Sequence, residues 1–228
     1  MISSTLQRAT AEFIGTAFLV MGVVGSGIYA SQLSPTDDGL ALLENSIATG
    51  AILIALIIAF QGISASFNPA VTLVDRLLGH ITTRLMWILM AAQTLGGVVG
   101  TVLTHFMFQL PTVTISTKDR LGGHLWFAEF VATIGLLLII FVSIKTGNGR
   151  YVPFAVGGYI AAGYWFTSSM SFANPAVTFA RIFTDTFAGI NPASAWPYMI
   201  AQFVGALLAW GVIAFLIKKP QATQLQNR

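Results

Sequence analysis

Residues 66–72 read SFNPAVT and residues 171–179 read SFANPAVTF, so nearly the same motif occurs twice in a very apolar chain. Asn is a favoured helix N-cap, and Pro fits the first helical turn, where no backbone N–H is needed. Each copy therefore predicts the start of a short helix, capped by Asn68 or Asn174. In a membrane protein, two such starts predict two short helices whose positive ends face each other, an arrangement suited to a pore that repels cations.

The composition excludes an ordinary soluble protein. The chain has 228 residues, of which 55% are hydrophobic and only 8% are charged, whereas soluble domains carry about 25% charged residues. We expect one membrane-embedded domain over residues 1–228, and no cleavable signal peptide, because the first apolar stretch is too long. The net charge of +3 is better explained by membrane topology than by a nucleic-acid partner. Without cysteine and with three isolated histidines, the sequence predicts no metal site and no cofactor.

Hydropathy predicts six membrane-spanning segments, at residues 9–30, 42–62, 84–109, 124–145, 152–168 and 195–217. The two Asn-Pro-Ala segments follow the second and the fifth span. Each is apolar enough to enter a membrane but too short to cross it, since a spanning helix needs about 20 residues. We therefore expect an all-α membrane protein with six transmembrane helices and two re-entrant half-helices.

Basic residues predict the orientation, because they concentrate on the cytoplasmic side of membrane proteins. With the N-terminus inside, the outer face receives only Lys118, Arg120 and Arg181. The inner face receives the other eight, namely Arg8, Arg76, Arg84, Lys145, Arg150, Lys218, Lys219 and Arg228. This split predicts a multi-pass protein of the inner (plasma) membrane with both termini in the cytoplasm.

The chain contains an internal repeat. Equivalent residues recur 117, 106 and 109 positions apart, as in the pairs Glu12 and Glu129, Asn68 and Asn174, and Gln93 and Gln202. The two units cover about residues 8–109 and 122–219 and hold three spans each. An odd number of spans inverts the second unit in the membrane, so that one half-helix enters from each side and their N-termini meet near the midplane.

Glu12 and Glu129 lie inside or close to apolar spans, where a carboxylate is costly unless it accepts hydrogen bonds. One interpretation is a proton relay. The other, which we favour, is a structural role in which each carboxylate accepts bonds from backbone N–H groups of a re-entrant segment.

Six spans, two half-helices, paired glutamates and paired Asn-Pro-Ala motifs resemble the aquaporin, or major intrinsic protein, family over essentially the whole chain. The resemblance implies a homotetramer, surrounded by membrane lipids, with one pore per subunit for water or small neutral solutes. It also implies that Asn68-Pro69-Ala70 and Asn174-Pro175-Ala176 line this pore and that both Asn side chains donate to a passing solute oxygen. A third copy, Asn191-Pro192-Ala193, lacks the flanking residues and is expected to be an ordinary helix start.

The second motif departs from the family pattern. Most members continue Asn-Pro-Ala-Arg, and that Arg lines the narrowest constriction together with aromatic residues, whereas this chain has Val177. By resemblance, the other filter positions fall on Thr49 or Ala48, on Gly163 or Ala162, and on Phe172 or Ser171. All except Phe172 are small, which predicts a constriction wide enough for solutes larger than water. The alternative is that neighbouring side chains fill the gap and leave a water-sized opening.

Arg181 adds a second open question. It lies four residues after Val177 and projects from nearly the same helix face, about 6 Å further outward. It either restores positive charge at the pore mouth or is a surface residue paired with Asp185.

The segments AVTFAR (176–181) and DTFAGI (185–190) resemble the aquaporin-like channels associated with bacterial arsenic-resistance operons. This resemblance implies passage of metalloid hydroxides such as arsenite, of methylated arsenicals, and of glycerol, urea and water, with exclusion of protons and cations. A strict water channel is the main alternative, and a secondary transporter is a weaker one. An enzyme is not expected, because no nucleophile, base and orienting group stand together.

Overall fold

The computed structural model describes residues 3–217, and within that range it contains helices and no β-strand. The α-helices are α1 (Thr5–Leu33), α2 (Asp38–Phe60), α3 (Pro69–Leu77), α4 (Thr83–Met107), α5 (Gly123–Lys145), α6 (Val152–Phe166), α7 (Pro175–Ala180) and α8 (Pro192–Leu216). The long helices match the six predicted spans to within a few residues, and α3 and α7 match the two half-helices. The predicted fold class is therefore confirmed.

Of the six helices that match predicted spans, five are long and apolar enough to cross a membrane, and α6 is the exception. It has 15 residues and is about 22 Å long at 1.5 Å per residue, which is shorter than the roughly 30 Å of a hydrocarbon core. A 3₁₀ turn, Gly149–Tyr151, extends it at its N-terminus. Of the residues used to predict the orientation, Lys218, Lys219 and Arg228 lie outside the described range.

The two half-helices begin as the motif predicts. The Asn68 side chain accepts the backbone N–H of Ala70 at 2.9 Å, and Pro69 occupies the first turn of α3. Asn174 caps α7 in the same way, with Pro175 in the first turn. The third motif is the ordinary helix start that we expected, because Asn191 caps α8.

Glycine allows the close approach of α1 to α4 and of α5 to α8. A Cβ atom on Gly96 would lie 2.3 Å from the carbonyl oxygen of Phe13, and one on Gly205 would lie 2.7 Å from that of Phe130. Gly96 and Gly205 are 109 positions apart, and the two phenylalanines are 117 apart, which are separations already seen in the repeat. The same close contact is therefore built twice, once in each half.

Each half-helix joins the two halves of the molecule. α3 packs against α4 of its own half and α8 of the other, and α7 packs against α8 and α4. The halves also meet along α2 and α6, where a Cβ atom on Gly50 would lie 2.8 Å from the carbonyl oxygen of Gly157. This packing brings the first turns of α3 and α7 together in the interior.

We expect Gly96→Ala to destabilise the protein, because the added methyl group would collide with the backbone of α1, and overpacking of this kind costs about 1–3 kcal/mol. The measurement is the midpoint of thermal unfolding of the purified protein in detergent. Gly211→Ala is the matched control, since a Cβ atom at that position would have no neighbouring atom within 4 Å in the described part of the chain. Equal midpoints for both variants would contradict this account of the α1–α4 contact.

Candidate functional site

The two capping asparagines are bonded across the junction between the half-helices. Nδ2 of Asn68 donates to the carbonyl oxygen of Ala173 at 2.8 Å, and Nδ2 of Asn174 donates to that of Phe67 at 2.7 Å. The N-termini of α3 and α7 therefore abut. An amide nitrogen carries two N–H donors, so each Asn keeps one for another acceptor.

The residue before each asparagine has an unusual backbone. Phe67 has φ of 48° and Ala173 has φ of 45°, in the left-handed region that non-glycine residues rarely adopt. Strain of this kind costs of the order of 1–3 kcal/mol and persists only where the surroundings impose it. Here it turns each carbonyl toward the opposite asparagine.

Buried carboxylates impose this conformation. Glu12 accepts the backbone N–H groups of Ser66 at 2.9 Å and Phe67 at 2.6 Å, together with the Ser64 hydroxyl at 2.6 Å. Glu129 accepts the N–H groups of Phe172 and Ala173, both at 2.8 Å. These bonds are the ones that a structural role requires, and they engage both oxygens of each carboxylate.

A glutamine and a threonine complete each carboxylate network. Nε2 of Gln93 donates to Glu12 and to the Thr72 hydroxyl, each at 2.8 Å. Thr72 in turn donates to the Asn68 carbonyl at 3.1 Å. The second half repeats the chain of bonds from Glu129 through Gln202 and Thr178 to Asn174.

A narrow cavity of about 90 Å³ runs past the paired asparagines. One water molecule needs about 10–15 Å³ of such space, so the cavity holds several. Asn68 and Asn174 line it, as do Phe67 and Ala173, the residues that directly precede them in the sequence. Among the residues that line it there is no carboxylate.

The residue that lines the outer part of the cavity from the fifth span is Tyr164, one position after the predicted Gly163. Gly163 does not line the cavity and instead faces Ser171, whose Oγ would lie 2.6 Å from a Cβ atom at that position. Ala162 is exposed on the outside of α6. Tyr164 lines the cavity, and its hydroxyl lies 3.1 Å from Oγ1 of Thr49, which also lines it. Successive residues of a helix are rotated by about 100° about its axis, so a shift of one position moves a side chain to another face.

The small residues predicted for the constriction are accompanied by larger ones. A tyrosine and an arginine line the same region of the cavity as Thr49 and Val177. Ser171 and Phe172 both line it as well, and Ser171 Oγ has no hydrogen-bond partner in the described part of the chain. Bulky and small side chains therefore line this part of the cavity together.

Arg181 lines the cavity and is only 2% exposed. Its Nε donates to the carbonyl oxygen of Ala188, and its guanidinium lies 3.4 Å from the ring centre of Phe172. Asp185 is not its partner. That carboxylate accepts the backbone N–H of Thr117 at 2.9 Å, and this bond lowers the pKa of Asp185.

The rest of the cavity wall is apolar, and the sequence analysis missed it. Leu19 and Val23 line the cavity from α1, and Leu136 and Ile140 line it from α5. These pairs are 117 positions apart, like Glu12 and Glu129. Within each pair the spacing is four residues, which places both on one helix face. The offset of the repeat relates the two pairs to each other, and the four-residue spacing places each pair on one face of its helix.

The geometry offers two chemical features to a permeating molecule. The apolar wall offers no hydrogen bonds, whereas the asparagine and arginine N–H groups are donors available to an oxygen atom inside the cavity. The half-helix N-termini and Arg181 together make the passage electropositive.

Comparison with known proteins agrees with the geometry. The model of the family described as major intrinsic protein matches residues 2–173 and 151–228. Aquaglyceroporin AqpS of Rhizobium meliloti (strain 1021) is 46% identical over 213 residues, which cover 93% of this chain and 91% of the relative. A probable TIP-type aquaporin of Medicago truncatula is 30% identical, with 90% of this chain and 84% of that protein covered.

A solved structure supports the fold. The X-ray structure of the aquaglyceroporin from Plasmodium falciparum superimposes with a TM-score of 0.71, over 94% of this chain and 99% of that one. The sequence identity is 21%, so this likeness concerns the architecture.

We expect Glu12→Gln to destabilise the protein and to reduce water flux. Each carboxylate oxygen of Glu12 accepts two donors, so the amide NH₂ would face donors in either orientation. A buried donor left without a partner costs about 1–3 kcal/mol. The measurements are the thermal midpoint and the water permeability per folded molecule in liposomes.

Glu44→Gln is the control for this variant, because Glu44 accepts one described bond, from Ser34 at 2.9 Å, and an amide oxygen preserves it. If both variants behave alike, Glu12 does not hold the re-entrant segment.

Proposed function

The chain belongs to the major intrinsic protein family, and on that premise we propose that it is a passive membrane channel for water and small uncharged solutes. The proposed solutes are glycerol, urea and metalloid hydroxides such as arsenite, including methylated arsenicals, with protons and cations excluded. One observation carries the proposal: a continuous cavity passes the abutting caps Asn68 and Asn174, each of which has an N–H group to spare.

Exclusion of protons follows from the direction of these donors. A water molecule between the asparagines accepts hydrogen bonds from both, so its oxygen is not available to relay a proton to its neighbour. The positive ends of α3 and α7 add a barrier to any cation, hydronium included. Neutral solutes meet neither obstacle.

The proposed solute range rests on the polar groups around the outer part of the cavity. Thr49, Tyr164 and Ser171 present hydroxyl groups, and Arg181 presents the N–H groups that do not bond to Ala188. A small molecule with several hydroxyl groups, such as glycerol or arsenous acid, replaces its hydration shell with these groups one after another. The name of the Rhizobium meliloti relative, an aquaglyceroporin, supports the same range.

We also propose a homotetramer in the plasma membrane with both termini in the cytoplasm. The cavity is formed within one chain, so each subunit would conduct through its own pore. Large apolar side chains such as Trp87, Phe106 and Phe215 are exposed on the surface, which suits contact with lipid or with another subunit. The bias of basic residues toward one side supports the orientation.

Two other functions compete with this proposal. A strict water channel is favoured by Tyr164, a bulky residue that lines the cavity together with the small Thr49 and Val177. A secondary transporter needs a titratable or ion-binding group on the permeation path. Glu12 and Glu129 are the buried carboxylates of the described spans, and both are engaged in backbone bonds away from the cavity wall.

Flux into liposomes that contain the purified protein distinguishes the three functions. We expect water, glycerol, urea and arsenite to equilibrate faster than in protein-free liposomes, in proportion to their gradients, while an internal pH dye reports no proton entry. Water flux without glycerol, urea or arsenite flux would establish the strict water channel. Saturable flux coupled to an ion gradient would establish the transporter.

We expect Val177→Arg to reduce glycerol and arsenite flux more than water flux. The variant places a second guanidinium on the cavity wall one turn from Arg181, which narrows the passage and adds charge. Stopped-flow permeabilities of the three solutes in liposomes measure the effect. Val177→Leu, which stays apolar, controls for added volume, and an equal loss for all solutes in the Arg variant would contradict the position of Val177 in the filter.

A further inference from the structure

Three consecutive carbonyl groups at the outer end of the cavity are held by two arginines. The carbonyl strip, residues 187–189, lies between α7 and α8. Arg120 donates from Nε to the Gly189 carbonyl at 3.2 Å and from Nη2 to the Phe187 carbonyl at 3.5 Å. Arg181 donates to the carbonyl between them, that of Ala188.

The same two guanidinium groups share an aromatic ring. Phe172 lines the cavity, and its ring centre lies 3.4 Å from Cζ of Arg181 and 5.3 Å from Cζ of Arg120. Arg120 also reaches Sδ of Met170 at 3.3 Å. Arg181 lines the cavity and Arg120 does not, so Arg120 supports the residues around Arg181 from outside the permeation path.

The carbonyl strip is tightly confined on its other side. A Cβ atom on Gly189 would lie 2.3 Å from the Thr184 carbonyl and 2.5 Å from Oγ of Ser116. The backbone of residues 116–120 is fixed to the same region, since the N–H of Ser116 donates to the Ile182 carbonyl at 2.8 Å. The N–H of Arg120 donates to Ser194 Oγ at 2.9 Å. Arg120 is therefore anchored at both its backbone and its side chain.

Two like charges so close together repel each other, and the surroundings must compensate. Burial lowers the pKa of Arg120, which reflects the cost of removing its charge from water. The strip carbonyls and the face of Phe172 carry negative charge density toward the guanidinium groups. The contacts that offset this cost also hold the two guanidinium groups in fixed positions.

We infer that Arg120 is a positioning residue for selectivity, which acts by fixing the carbonyl strip and, through it, the Arg181 guanidinium at the outer constriction. The inference rests on the proposed channel function. Without Arg120, the Phe187 and Gly189 carbonyls on either side of Ala188 each lose a donor, so the strip holds the Arg181 guanidinium less firmly at one point of the passage. The constriction then discriminates less well between water and larger solutes, and the barrier to protons weakens.

The test measures two quantities in liposomes, the ratio of glycerol to water permeability and the proton leak, for Arg120→Met, Arg181→Met and the double variant. We expect each single variant to raise the permeability ratio by about fivefold, the factor that corresponds to one typical hydrogen bond, and to raise the proton leak. Because Arg120 acts through Arg181, the double variant should match Arg181→Met alone. Arg150→Met is the matched control, since Arg150 packs on Tyr151 at 4.6 Å outside this region.

Arg120→Lys separates positioning from charge. A lysine keeps the positive charge but lacks the planar fork that spans two carbonyls, so we expect it to resemble Arg120→Met. Full recovery of both quantities by lysine would overturn the inference, as would an unchanged ratio and leak in folded Arg120→Met or an additive double variant. If Arg120→Met does not fold, Arg120→Lys and its combination with Arg181→Met carry the same comparison.

The two proposals fail in different ways. Absence of glycerol flux in the unaltered protein would contradict the proposed solute range. The proton leak would still test Arg120, because it needs no glycerol.

Discussion

Two carboxylates in the interior make the irregular backbone of this membrane protein possible. Lipid offers no hydrogen bonds, so every N–H group that leaves a helix needs a partner within the protein. Glu12 accepts two such groups before α3, and Glu129 accepts two before α7. The N–H groups of the residues before each half-helix bond to a carboxylate. The carbonyl groups of these residues and the side chains of the capping asparagines therefore remain available at the cavity. The junction of the half-helices therefore depends on two carboxyl groups that lie outside the cavity wall.

The sequence predicts this arrangement well wherever an effect is local or repeated. Capping by Asn68 and Asn174, the six spans and the repeat follow from residue chemistry, hydropathy and fixed offsets. The filter was harder to predict, because it depends on the rotation of α6 and on long side chains that reach the cavity from a neighbouring turn. The sequence predicts Gly163 at the level where Tyr164 lines the cavity, because no periodicity in a helix that is apolar on all sides marks which residue faces inward.

The cavity differs sharply between its two ends although the chain is a repeat. The apolar wall contributed by α1 and α5 follows the repeat offset, with Leu19 matching Leu136. The polar wall does not: Arg181 stands beyond the second half-helix, and the corresponding α3 carries no arginine on the cavity. Val177 places no charge on the inner turn of α7, and Arg181 supplies a positive charge one turn later. The positive side chain on the cavity wall is thus confined to one end, while the repeated framework serves both ends.

The exchange of bonds across the junction has a consequence for how the chain matures and how such a molecule could have arisen. The Asn68 amide donates to the Ala173 carbonyl, and Ala173 is synthesised about a hundred residues after Asn68. The first unit alone therefore lacks the acceptor for this bond, which only the second unit supplies. A lone three-span ancestor could close the same junction only by pairing head to head with an upside-down copy of itself, which requires insertion in both orientations. Fusion of two genes would have made that pairing permanent.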